Sequence, residues 1–518
     1  MAETAVEVPQ PVERRLELEP ERILGRDRRH FAVVDIGSNS VRLVVYDQLG
    51  RAPIPRFNEK SLCELGAGLD KTGELSADAI EGTVQAVHRF CAIARAMEVP
   101  RIDVFATEAV RRATNGSALV GAIRKRSGLS PQVLSGEEEA HYSALGVISG
   151  FYRPKGLVGD IGGGSLEVAE ILDDRVGEWS VSLPLGSLPV QAMMVDDWAS
   201  ARRQIDEMLR DRLPPPLTEP VFYPVGGGWR ALAHVHIATN GAPIKVVHGY
   251  EIDAKEARAL AKSIARSAPK DVATLAGVPS RRVATLPAAA LVLDRVLKRL
   301  KPERVVFSAL GLREGWLYAQ LSSEEKYRDP LIEGAQAFAT PWARVPEFGA
   351  ALSRWTNDLF RGEEATDRRL RVAACALSDI AWRDHADVQA VESFRRLVQF
   401  PFIGLTHAER VFLGAVIHAR YGGKPDDPAL VPASDLLTPA QLRRARILGR
   451  ALLLGHRFSG SVPEILDSAR LRIGADAVCV EVHSTESVPD SDAVRARLKQ
   501  LAKAVGVQRT EIQKVESS

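Results

Sequence analysis

The sequence predicts an α/β protein: two similar lobes, then a largely helical region. Three observations predict it. Asp-Ile-Gly-x-x-Ser occurs twice, in VDIGSNSVRLV (34–44) and VGDIGGGSLEV (158–168), each time between apolar, strand-like runs. Up to about residue 325, short β-branched runs alternate with helical stripes, as in an α/β architecture. Beyond it the apolar period is helical, apart from the very end. At 518 residues the chain is too long for a single core. It divides into a disordered or extended charged tail (1–30), a lobe (31–150), a second lobe (151–325) and a mainly helical region (326–518) with a small terminal strand and helix.

Each element has a local cause. FAVVDIG and VRLVVYD are β-branched runs bounded by Gly and Asp, which read as strands joined by a tight Gly-Ser-Asn turn. The stretch 76–97 carries a helical stripe behind a Ser76 cap, and RIDVFAT is a further strand. SGEEEAHYSALGVISGF opens a helix with acids in its first turn. LVGDIGGGSLEVAEIL repeats the strand–turn–strand theme, and VFYPVGGGWRALAHV (221–235) reads as strand, Gly-rich turn and helix. SSEEKYRDPL (322–331) is charged and turn-rich, a boundary. Thereafter RRLRVAACALSDIAWRD, THAERVFLGAVIHARYG and PAQLRRARILGRALLLGHR are helical, ADAVCVEVH is a strand and SDAVRARLKQLAKAV a final helix.

Composition narrows the class. With 45% hydrophobic and 26% charged residues the chain is an ordinary globular protein. A net charge of +2 gives no whole-molecule attraction to nucleic acid, so no sequence-specific nucleic-acid partner is expected. Cys63, Cys91, Cys375 and Cys479 form no Cys-x-x-Cys pair, which argues for a reducing, cytoplasmic setting and against structural zinc. No run approaches the 18 or so apolar residues of a membrane span, and the first thirty residues are charged, so no membrane association is expected.

The repeated turn carries the chemistry. In each copy an Asp (Asp35, Asp160) ends an apolar strand, several backbone N–H groups follow with little side-chain bulk, and a hydroxyl (Ser40, Ser165) stands at the same offset. Consecutive N–H groups suit phosphate oxygens. Two such loops facing across a cleft would cradle a phosphate, with two carboxylates placed to hold Mg²⁺, or another divalent cation, through water. No G-x-x-x-x-G-K-[ST] pattern occurs, so this is not a P-loop.

The set VVDIGSNSVRL, FATEAVRRATN, LSGEEEA, LVGDIGGGSLEV, YPVGGGWRALA and FSALGLREG, spanning about 31–320, resembles the exopolyphosphatase/guanosine pentaphosphate phosphatase family within the actin, sugar-kinase and heat-shock-chaperone ATPase superfamily. The resemblance implies ribonuclease-H-like (actin-like) lobes with the active site in the interlobe cleft. It implies that Glu139 is the catalytic base, with its pKa raised by a carboxylate-rich cleft, while Glu137 and Glu138 serve the helix N-terminus. It makes Glu167 a third acid beside Asp35 and Asp160, giving Asp35, Asp160 and Glu167 as the metal-side set. Gly37, Ser38, Asn39, Ser40, Gly162, Gly163, Gly164 and Ser165 would bind substrate phosphate. Arg42 and Arg111 match arginines that neutralise charge, Arg111 at the reacting centre, whereas adjacent Arg112 points to the surface. Gly226, Gly227 and Gly228 stand where the superfamily holds adenosine. Trp229 departs from the family's small hydroxyl residue there, which leaves that turn equally open to a plain strand-to-helix role. Arg282 and Arg313 are further candidates to line a polyanion path, although Arg281 and Arg282 also suit a solvated helix.

The implied activity is release of orthophosphate from the end of linear polyphosphate. Guanosine pentaphosphate hydrolysis and a non-catalytic regulator binding polyphosphate or an alarmone (guanosine tetra- or pentaphosphate) are the alternatives, and a homodimer is expected from resemblance alone. Arg443, Arg444, Arg446 and Arg450 either extend a substrate groove or form the charged outer face of a core helix. The helical region resembles a degenerate His-Asp phosphohydrolase domain, with Ser378-Asp379 where a His-Asp pair would stand, and no catalytic metal is expected in it.

Overall fold

The computed structural model describes residues 16–19, 30–214, 220–360, 362–483 and 490–515. Most of the expected tail lies outside the described residues. Residues 16–19 carry no regular secondary structure, with Leu18 against the helical core and Glu19 accepting from Arg328 at 2.9 Å.

The first sheet runs β3-β2-β1-β4-β5, with β1 Phe31–Ile36, β2 Ser40–Tyr46, β3 Pro55–Leu62, β4 Arg101–Ala106 and β5 Gln132–Val133. The second runs β10-β11-β9-β6-β7-β8, with β6 Lys155–Ile161, β7 Leu166–Leu172, β8 Arg175–Leu183, β9 Val221–Val225, β10 Tyr250–Asp253 and β11 Arg304–Phe307. Each has an antiparallel three-strand meander (β1-β2-β3, β6-β7-β8) whose first strand pairs in parallel with the next strand in sequence (β4, β9). The repeated motif therefore marks a repeated sheet. The strands read as apolar runs because both faces are covered; β1 and β6 are buried almost throughout.

Two helices cross between the sheets. Gly136–Gly150 starts at a capping box of Ser135 and Glu138, so Glu138 keeps the structural role expected of it, and Glu137 is exposed. Its apolar face (Ala140, Ala144, Val147, Ile148) packs on Val158, Ala169, Tyr223 and Val225 of the second sheet. A boundary at 150/151 thus separates this helix from the sheet it covers. Helix Leu312–Ala319, from the second half, places Trp316 and Leu317 against Phe31, Val33, Val44 and Phe105 of the first sheet. The helices touch where Gly315 has no room for a Cβ against the Tyr142 carbonyl and the Gly146 amide. This exchange sends residues of each half into the seam between them.

The region from Pro330 onward has a core from Leu331 to Ala502, joined by Ile244 of the second lobe and built on helices such as Ala365–Leu377, His407–Arg420 and Pro439–Ser459. The terminal strand and helix expected there are part of a three-stranded sheet. β12 Ala469–Ile473 pairs with β13 Ala477–Val482, and after helix Asp492–Val505 the chain returns as β14 Arg509–Lys514. The alternation in ARLRI was overshadowed by the arginines on its outer face. Ser378 meets His456 Nε2 at 3.0 Å, and Asp379 accepts from Arg344 at 2.7 and 2.9 Å, with Arg420 at 3.6 Å.

Candidate active site

The two Asp-led turns have the same internal bond, Gly37 N–H to Ser40 O at 3.0 Å and Gly162 N–H to Ser165 O at 2.9 Å. They face each other closely: a Cβ on Gly163 would stand 3.0 Å from Ser38 Cβ. Between them opens a cavity of about 170 Å³. All predicted residues of both turns line it, as do Asp35, Arg42, Glu139, Asp160, Glu167, Gly226, Gly227, Arg282 and Arg313.

Strand register gives the cavity two chemically different walls. Asp35 pairs with Arg42 and Arg42 with Lys60 across β1, β2 and β3. At the corresponding places of the second lobe, Asp160 pairs with Glu167 and Glu167 with Ser182 across β6, β7 and β8. One row reads acid–cation–cation, the other acid–acid–hydroxyl.

On the acidic wall Glu139 and Glu167 are buried and Asp160 is half-buried, all lining one cavity. Burial pushes Glu139 up to about 7; Arg111 opposes the rise, and Asp160 and Asp35 add to it. Burial and then the charge of Glu139 hold Glu167 well above the usual carboxylate range, while Ser182 donates to it at 2.9 Å. Asp160 is raised by burial and accepts from Ser143 Oγ at 2.6 Å. Ser143 lies one helical turn after Glu139, on the same helix face.

The basic wall is broader than the sequence indicated. Burial, then Arg313 and Arg230, lower Arg42 to about 10; burial, then Arg313, lower Arg230 to about 10. Lys60 is brought to about 8 by burial and by Arg282, Arg281 and Arg42. Such depressed values mean cations that are desolvated by burial first and crowded by like charge second, with too few local anions to offset either. Arg313 is the exception, donating to Asp35 at 2.7 Å, and it is raised because Glu314 and Asp35 outweigh its burial. Lys60 and Arg230 were missed. Lys60 sits in no motif, and Arg230 follows the Trp229 that drew attention instead.

One expectation needs correction. Arg111, expected on substrate phosphate, is not among the cavity residues; its guanidinium donates to Glu139 and to the Leu134 carbonyl. Arg112 is exposed, as expected, and pairs there with Glu108 at 2.7 Å and with Asp70. Glu108, also unanticipated, is buried in the cavity wall and accepts from Ser38 Oγ at 3.1 Å. Arg282 lines the cavity while Arg281 is exposed, so only the latter solvates its turn. Trp229 is fully buried and donates to the Ala289 carbonyl at 2.8 Å, so it serves the second-lobe core rather than the cavity.

Among the described residues no three His, Cys, Asp or Glu side chains form a metal-holding group. Asp35, Asp160 and Glu167 nonetheless offer hard oxygen donors to one cavity. That chemistry fits a cation such as Mg²⁺, which takes one or two carboxylates and completes its shell with water and phosphate oxygens. Among the described residues no helix is long and apolar enough to cross a membrane.

Comparison with known proteins gives a consistent picture. The model of the Ppx/GppA phosphatase family matches residues 44–324, and that described as exopolyphosphatase, C-terminal, matches 331–512. The chain is 32% identical over 310 residues to Exopolyphosphatase 1 of Mycobacterium tuberculosis, covering 57% of this chain and 89% of that protein. It is 26% identical over 435 residues to Retrograde regulation protein 2 of Saccharomyces cerevisiae, covering 76% and 73%. A solved exopolyphosphatase-like protein superimposes with a TM-score of 0.50 at 22% identity, over 56% of this chain and 97% of that one, which shows a shared fold.

Proposed function

We propose, for a chain that belongs to the Ppx/GppA phosphatase family, that it releases orthophosphate from the end of linear polyphosphate by hydrolysis in the interlobe cavity. The observation that carries this is the pairing of an acidic wall with an under-neutralised basic wall at the point where two phosphate-binding turns meet. A polyanion satisfies the mutually repelling Arg42, Lys60, Arg230 and Arg282, and the turn amides take the oxygens of its terminal phosphoryl group. Glu139, with a pKa near 7, is balanced to accept a proton from an attacking water at neutral pH. Arg111 orients the Glu139 carboxylate and keeps part of it ionised. The under-neutralised cations also face the charge that builds on the bridging oxygen as the terminal bond breaks. Asp35 and Asp160, with Glu167, would hold Mg²⁺, which when bound supplies further neutralisation of the phosphate oxygens.

The helical region is read as a degenerate His-Asp phosphohydrolase domain without a catalytic metal: Asp379, at the position of the missing pair, is already neutralised by Arg344 and Arg420.

Orthophosphate release from polyphosphate and from guanosine pentaphosphate, wild type beside Glu139→Gln, tests this reading. We expect turnover of polyphosphate that the substitution lowers by about 10²-fold or more. Preferential turnover of guanosine pentaphosphate would move the assignment to that substrate. Wild type and variant equally inactive would overturn the hydrolase reading and favour the non-catalytic regulator.

A further inference from the structure

The arginine-rich helix Pro439–Ser459 does not serve the cleft as one basic stripe. Arg444 is held by Glu363 and lies over the Phe360 ring at 3.7 Å, and Arg450 donates to the Gly423 carbonyl at 3.3 Å. Arg443 and Arg446 instead border a second cavity, of about 430 Å³, where this helix meets His407–Arg420 and the end of Asp492–Val505. Lys424 and Lys503 also line it, and among the described residues no carboxylate does. Arg443 is fixed by the Val505 carbonyl rather than by an acid. Asp427, nearby in sequence, accepts from His418 Nε2 at 3.1 Å and from the Ala429 amide at 2.9 Å. Arg450, on the same helix, is lowered by burial first and then by Arg446 and Arg497.

The walls have the opposite character. Leu430 and Leu442 stand among Ala415, Ala419 and Ala445, small side chains whose size leaves the space open. Four cations over an apolar hollow of this volume match a ligand with an anionic end and an apolar body, in the usual size range of small-molecule sites. A bare polyphosphate chain would satisfy the rim and leave the leucines wet. An uncharged apolar molecule would do the reverse.

We propose that this cavity binds a small phosphorylated molecule with an aromatic base whose flat face packs on the leucines, of the nucleoside diphosphate class, at a site separate from the interlobe cleft.

The test is calorimetric titration of the full chain with ADP, pyrophosphate and long-chain polyphosphate, for wild type and for Arg446→Gln/Lys503→Gln. Both substituted side chains are exposed, so folding should tolerate their loss. We expect ADP to bind this site, the double variant to weaken that binding about tenfold or more, and polyphosphate turnover to stay unchanged. Pyrophosphate should bind the site about tenfold more weakly than ADP, for want of the apolar half. ADP binding indifferent to the substitutions would overturn the site. Pyrophosphate binding as tightly as ADP would overturn the ligand class, and turnover falling with the substitutions would make the cavity part of the substrate path.

Discussion

Replacing Arg111 by methionine should move the rising limb of the pH–rate profile rather than simply lower the rate. Glu139 lies near 7 because burial and the acids Asp160 and Asp35 push it up while Arg111 pulls it down. A cation in contact with a carboxylate is worth about 1–3 pK units. The Arg111 side chain is 29% exposed, which screens the pair, so we take the lower part of that range, about 1–2 units. The Glu139 limb then moves to about 8–9, and the ionised fraction at pH 7 drops from about a half to between about 0.1 and 0.01. Orthophosphate release should therefore fall about 5- to 50-fold at pH 7 and recover toward pH 9. Arg111→Lys, which keeps the charge, should leave the limb near 7. The measurement is kcat/KM on polyphosphate from about pH 5.5 to 9.5, plotted as the ratio of variant to wild type so that other titrations divide out. A ratio that is low but flat with pH would refute the reasoning, as would a wild-type limb near the ordinary carboxylate value.

Lys60→Met should raise KM for polyphosphate more than it lowers kcat. It should also remove a falling limb of kcat/KM near pH 8, because the wild-type side chain loses its positive charge as pH rises through that value; a limb that survives belongs to another group. Glu167 has a native pKa well above its unfolded one, so the native state holds a proton that the unfolded chain releases once pH exceeds about 4.5. Its contribution to stability is therefore lost as pH climbs, and Glu167→Gln should raise the first calorimetric unfolding temperature at pH 8 but hardly at pH 4.5; equal shifts at both would contradict the sign. Gly164→Ala puts a methyl group into the Glu108 carboxylate that accepts from Ser38. It should cost about 1–3 kcal/mol and depress turnover, read by denaturant unfolding and orthophosphate release; a neutral outcome would show that Glu108 is free to move.

The sequence alone determined the local features: the two turns, the strands flanking them, the capped helix carrying Glu139, and the roles of Glu137 and Glu138. Each depends on neighbours within a few residues, where glycine, a capping serine or an alternation of apolar residues decides the backbone. Asp35 and Asp160 were legible from the turns they open, whereas Glu139 and Glu167 were named by the family resemblance. Tertiary structure decided the rest. Lys60 reaches the cavity only through the register of β3 on β2, and Arg230 only through the placement of its helix start beside Arg313. Arg111 is turned from substrate to Glu139 by a helix that begins 25 residues later and packs on the other sheet. Charge acts through space between groups far apart along the chain, so a linear pattern can name the ionisable side chains but not which of them face one another.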